Sequence, residues 1–117
     1  MTVWGTGRPM REFMHVDDLA DAVVFLAKHY SDEQHINVGS GDEISIRDLA
    51  KMVCEVAAFE GRLVFDTSKP DGAPRKLADA NRLKALGWRR KIELRAGIRS
   101  VYDGWKLDLE GRLASTG

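Results

Sequence analysis

The stretch from Val3 to Asp18, VWGTGRPMREFMHVDD, constrains the fold more than any other part of the chain. Gly5 and Gly7 open backbone conformations closed to other residues, and Pro9 fixes a turn. Phe13-Met14-His15-Val16 then reads as an extended apolar run, ended by Asp17-Asp18 where a helical pattern begins. An extended piece, a tight glycine loop, a second strand and a helix must therefore follow one another directly. The loop carries a flat indole, Trp4, and two guanidinium groups, Arg8 and Arg11, whose planar donor forks suit phosphate oxygens. A stacking platform beside cations is the makeup of a nucleotide or diphosphate site. The same residues also serve an ordinary structural turn.

The remaining elements follow from period and punctuation. Residues 1–9 read as a short extended piece and turn, and residues 10–15 as a strand. Asp17 or Asp18 is expected to cap a helix over 17–30, with Leu19, Val23, Leu26 and Tyr30 on one apolar face. Ile36-Asn37-Val38 reads as a short strand stopped by Gly39 and Gly41. Ser45 is the expected cap of a second helix carrying Ile46, Leu49, Met52, Val53 and Val56, with Gly61 just past its end. Leu63-Val64-Phe65 reads as a buried strand, residues 66–75 as a loop, and 76–78 as short extended structure. A short helix over 81–86 ends at Gly87, and a longer one runs from Leu94 to about Leu113, with Leu94, Ile98, Val101 and Trp105 on one face. The tail 114–117 is expected to fray. The sum is an α+β layout of short strands and three to four helices in one unit, residues 1–117, without the repeated strand–helix alternation of a complete dinucleotide-binding domain.

Charge and cysteine content narrow the partners. Lys plus Arg and Asp plus Glu number 18 each, so no global field draws the chain to nucleic acid or a membrane, and any anion site is local. The single Cys54 forms no internal disulfide and fits a reducing, cytoplasmic compartment. No apolar run nears the length of a membrane span, and the opening residues lack a signal-peptide pattern. His15, His29, His35 and Cys54 have no ligand-like spacing, so no metal site is expected.

Several motifs carry less than they suggest. The pairs Gly5/Gly7 and Gly39/Gly41 both lack the third glycine of G-x-G-x-x-G, and no cofactor-binding residue is assigned. Tyr102 and Lys106 match Y-x-x-x-K, but they sit in the last helix, so no catalytic residue is assigned either. Cys54 is read as a structural thiol and His15 as a packed, hydrogen-bonded ring.

Residues 11–18, REFMHVDD, resemble the R-(D/E)-(F/Y)-(V/L/M)-(H/Y)-V-D-D signature of extended short-chain dehydrogenases/reductases that act on nucleotide sugars. Asn37-Val38-Gly39-Ser40-Gly41 resembles a second signature of that superfamily, N-(V/I)-G-x-G. VWGTGRPMREF, and RLVFDTSKPDGAPRKLAD from Arg62 to Asp79, are similar to the GDP-L-fucose synthase family, the GDP-4-keto-6-deoxy-D-mannose 3,5-epimerase-4-reductases. The likeness covers nearly the whole chain but only the C-terminal third of such an enzyme.

The resemblance implies a small substrate-binding domain that packs against a Rossmann domain lying outside this chain, and a truncated start at Met1. It implies that Trp4, Arg11, Arg62 and Lys76 bind the GDP-sugar, the cations neutralising its pyrophosphate. The full-length enzyme would be a cytoplasmic homodimer using NADP, epimerising its substrate and reducing it to GDP-L-fucose. The 117 residues alone would bind no cofactor and turn over nothing. They would also expose an apolar patch around Trp4, Met10, Phe13 and the Gly5–Pro9 loop, with residues 1–9 mobile or held by neighbouring molecules. Two alternatives stay open: the substrate domain of another nucleotide-sugar epimerase or dehydratase, such as GDP-mannose 4,6-dehydratase, and a stand-alone, non-catalytic nucleotide-sugar-binding module.

Overall fold

The computed structural model describes residues 1–76 and 78–115. Its elements are β1 (Thr2–Trp4), β2 (Met10–Arg11), α1 (Val16–His29), β3 (Ile44–Ser45), α2 (Ile46–Val56), β4 (Val64–Asp66), β5 (Arg75–Lys76), α3 (Asn81–Ala85) and α4 (Leu94–Ser115). The expected α+β class, short strands with four helices among the described residues, is what the chain adopts. β1 and β4 form a parallel pair, with Thr2 opposite Val64 and Trp4 opposite Asp66. β2 is the centre of a second sheet, antiparallel to β3 and parallel to β5.

The strand expected over 10–15 is shortened to Met10–Arg11, because the chain leaves the ladder to start α1. His15, not Asp17 or Asp18, caps that helix: its backbone is extended and its Nδ1 accepts from the Asp17 N–H at 3.0 Å. Asp18 turns inward instead. It is 2% exposed and accepts from the backbone N–H groups of Lys91, at 3.2 Å, and Ile92, at 2.9 Å. Asp21 accepts from the Trp88 indole at 2.9 Å and pairs with Lys91 at 3.1 Å. These bonds hold the 88–92 segment against α1 and rotate the helix. Ala22, Phe25 and Leu26 therefore meet Leu83 and Trp88 in the core, with Met14, Ile36 and Val38 around them. Leu19 and Val23, expected on the inner face, are left exposed.

Other expectations need correction for physical reasons. Ile36-Asn37-Val38 joins no strand ladder among the described residues; Ile36 and Val38 pack on the core cluster instead. α2 starts as expected, with Ser45 Oγ accepting from the Asp48 N–H at 3.1 Å. Its end is not set by Gly61: Ala58 takes the left-handed conformation, with φ 52°, directly after the last turn. β4 is only partly covered, and Val64 is 48% exposed, because a two-stranded ribbon leaves one face open. Of the extended piece expected over 76–78, only Lys76 is strand, as the second residue of β5; Ala78 is not, and Leu77 lies outside the described residues, as do residues 116–117 of the tail.

The long helix α4 divides into two parts. Its start packs on α2 through the Arg95–Glu55 pair at 2.6 Å. Gly97 is buried, and a Cβ there would lie 3.3 Å from Ile92 and 3.4 Å from the His15 ring. Beyond it, Val101, Trp105, Leu107 and Leu113 stand exposed. No described helix is long and apolar enough to cross a membrane.

Candidate functional site

The glycine loop between β1 and β2 is built from its ends inward. The Gly5 N–H extends the β1–β4 ladder by donating to the Asp66 carbonyl at 2.8 Å. The carbonyls of Gly7 and Pro9 accept from the N–H groups of Arg47 and Ile46, at 2.9 and 3.0 Å. These are first-turn amides of α2 that have no partner within the helix, so the loop caps α2 while α2 shapes the loop. The Arg47 guanidinium also donates to the Thr6 carbonyl at 2.9 Å and lies over the Phe65 ring at 4.2 Å. Gly5, Gly7 and Pro9 are buried as a result. The expectation of a bare, mobile loop therefore does not fit the packing, although Trp4 beside it is 70% exposed.

The four residues expected to bind substrate are not all together. Arg11 and Lys76 are register partners on β2 and β5, one strand spacing apart, roughly 4.8 Å. Arg11 donates to the Met10 carbonyl at 2.7 Å and otherwise has no ion-pair partner among the described residues. Lys76 is exposed and likewise unpaired among them, whereas Arg75 beside it is committed to Glu43 at 2.7 Å. Trp4 lies at the C-terminal end of β1, and the Lys69 ammonium stands 5.2 Å from its ring centre. Arg62 precedes β4, at the far end of the ribbon from Trp4, where its carbonyl accepts from the Met1 ammonium at 2.8 Å. A four-residue offset along β4 amounts to about 13 Å. The geometry thus groups Arg11 with Lys76, and Trp4 with Lys69, and sets Arg62 apart.

Residues 69–72 join these groups. Asp71 accepts from the Thr6 N–H at 2.8 Å and the Thr6 hydroxyl at 2.7 Å. These two bonds, the hydroxyl's first, hold its carboxyl below the usual value, with Arg8 adding a smaller attraction. Gly72 faces Arg11, whose Nη2 would lie 3.0 Å from a Cβ placed there. Sequence reasoning missed Asp71 and Arg47 as site-forming residues. Pro70-Asp71-Gly72 reads only as a turn, and partners 65 and 41 residues away leave no local trace.

The structure also bears on the motifs set aside. Around Gly5 and Gly7 the space is filled by Asp71, Phe65 and Arg47, and Gly41 faces Lys84, so neither glycine pair forms a cradle for dinucleotide phosphates. Neither glycine turn, so filled, fits the phosphates of NADP. The Lys106 ammonium lies over the face of the Tyr102 ring, 5.5 Å from its centre, and Tyr102 stacks on Trp105. Among the described residues no group of His, Cys, Asp and Glu could hold a metal ion. An apolar cleft of about 520 Å³ lies between α4 and the β2–α1 segment, on residues such as Phe13, Ile98 and Tyr102.

Residues 1–39 match the NAD dependent epimerase/dehydratase family. GDP-L-fucose synthase 1 of Arabidopsis thaliana is 57% identical over 107 residues, which is 92% of this chain and 33% of that protein. GDP-L-fucose synthase of Escherichia coli K12 is 47% identical across 96% of this chain and 37% of its own length. Among solved structures, a GDP-L-fucose synthetase from Naegleria fowleri bound to NADP superposes with a TM-score of 0.87 at 27% identity, over 93% of this chain and 35% of that one. The chain is thus similar, across a third of its length, to the NAD dependent epimerase/dehydratase family. Over the part it spans, it is a homologue of the GDP-L-fucose synthases, and it covers about a third of the length of these relatives.

Proposed function

We propose that this chain is the substrate-binding domain of a GDP-L-fucose synthase, and that it holds the GDP-sugar through Trp4, Arg11 and Lys76, with Arg62 at the margin. The observation that supports this most is the pairing of Arg11 with Lys76 on adjoining strands, beside the backbone of Gly72. Two cations on register-paired positions, without carboxylate partners among the described residues, suit the two phosphates of a nucleoside diphosphate, each charge-assisted bond being worth roughly 1.5–3 kcal/mol. The exposed face of Trp4, with Lys69 beside it, offers a stacking surface for a base or sugar.

The ketone of GDP-4-keto-6-deoxy-D-mannose acidifies the C–H bonds on both sides, which permits epimerisation at two carbons before reduction at the ketone itself. The proton-transfer groups and the NADPH that supplies hydride belong to the longer protein; this chain's part is to bind and orient the nucleotide-sugar. The lone thiol Cys54 supports a cytoplasmic location for that protein.

In the longer protein, Arg11→Ala lowers kcat/KM for the 4-keto sugar nucleotide by about 1.5–3 kcal/mol, while Cys54→Ser leaves it near the parent value. Loss of activity in Cys54→Ser with Arg11→Ala unaffected would overturn the assignment.

A further inference from the structure

One segment of four residues, Lys69 to Gly72, touches Trp4, the glycine loop and Arg11. Lys69 covers Trp4, Asp71 takes both donors of Thr6, and Gly72 faces Arg11. We infer that Asp71 is a positioning residue: its carboxylate clamps Thr6 and so fixes the loop that follows Trp4 and carries Arg8 relative to Arg11. This rests on the binding reading above for its functional consequence, but the clamp itself is a claim about the unliganded chain.

Three observations converge on the clamp. A carboxylate accepting from a backbone N–H and a hydroxyl of the same residue fixes both the position and the rotation of that residue. Thr6 Oγ1 in turn accepts from the Arg8 N–H at 3.2 Å, so the order imposed on Thr6 passes to Arg8. On the other side of Thr6, Gly5 adopts φ 88°, and a Cβ there would fall 2.1 Å from Asp71 Oδ1. The loop thus admits the carboxylate only because Gly5 has no side chain. Asp71 is a poor direct contact for the proposed ligand, since a carboxylate repels a diphosphate. Its charge and its position therefore act on binding with opposite signs.

That opposition supplies the test. The Trp4 indole N–H resonance, assigned by its loss in Trp4→Phe, reports the loop without ligand. Asp71→Ala and Thr6→Val should each shift it, and the double variant should shift it no further than Asp71→Ala alone. GDP titration of the same proteins should show affinity reduced about tenfold in Asp71→Ala. Circular dichroism matching the parent confirms that each variant is folded, and Thr6→Val, which removes only the hydroxyl bond, keeps the test open should Asp71→Ala unfold. An unmoved Trp4 resonance in the folded variants overturns the proposal. So does GDP binding that is unchanged or tighter, because charge alone then explains the residue. If the Trp4 resonance moves while the parent itself binds no GDP, the clamp stands and the binding function falls.

Discussion

The glycine loop and the outer half of α4 are opposites. The loop has no regular structure, yet Thr6, Gly7 and Pro9 are held by Asp71, Arg47 and Ile46, residues 37 to 65 positions away. The outer half of α4 is regular helix to Ser115, yet Val101, Trp105 and Leu107 are 60%, 56% and 70% exposed. Order in the loop comes from hydrogen bonds that single out particular partners. Order in α4 comes from backbone propensity and repeating i→i−4 bonds, which need no partner outside the helix. Regularity and tertiary fixation are therefore separate properties here, and the proposed site lies beside the fixed region.

The contrast can be broken most forcefully at Gly7. Its φ is 78°, and a Cβ would sit 2.6 Å from the Phe65 ring and 2.9 Å from Arg47 Cβ. Gly7→Ala should cost roughly 2–4 kcal/mol in denaturant unfolding. A cost below about 0.5 kcal/mol would mean that the loop is not fixed as described.

Acid should loosen the loop next. The Asp71 carboxyl is held below its ordinary value of 3.8 by Thr6. A carboxylate with a depressed folded pKa stabilises above its unfolded value, and that contribution fades as pH falls through the lower folded value. The Trp4 resonance should hold steady from neutrality to about pH 4 and move below it, and Asp71→Asn should abolish that acid limb. Movement centred near pH 6.5 would instead implicate a histidine.

In α4 the effects reverse sign and shrink. Gly111 has nothing within 4 Å of its would-be Cβ, so Gly111→Ala should stabilise by about 0.5–1 kcal/mol through helix propensity. Trp105→Ser should change the stability of this chain by less than about 0.5 kcal/mol, since the ring is already more than half exposed. A loss of several kcal/mol would show that the outer half of α4 is covered in solution.

What could be read in the sequence follows the same division. The helices over 17–30 and 94–113, and the start of the helix capped by Ser45, were legible to within two residues or so, because local period and capping chemistry write them directly. The face that α1 buries was not, since it depends on Asp18 and Asp21 gripping residues 88–92. Nor was the order of the Gly5–Pro9 loop, whose determinants are Asp71 and Arg47. Ile36–Val38 has strand composition, but composition supplies no neighbour to pair with. For the site, the resemblance pointed to Trp4, Arg11, Arg62 and Lys76; the register puts Arg11 beside Lys76 and Arg62 at the opposite end of its ribbon.

The central claim is that Arg11 and Lys76 together read a diphosphate. Titration of the chain with GDP and with GMP, by calorimetry or NMR, tests it most directly. GDP should bind at least about tenfold more tightly than GMP, the scale of one charge-assisted hydrogen bond, and Arg11→Ala/Lys76→Ala should erase the difference. Equal affinity for GDP and GMP in the parent chain, or a preference for GDP that survives in the double variant, would contradict the account.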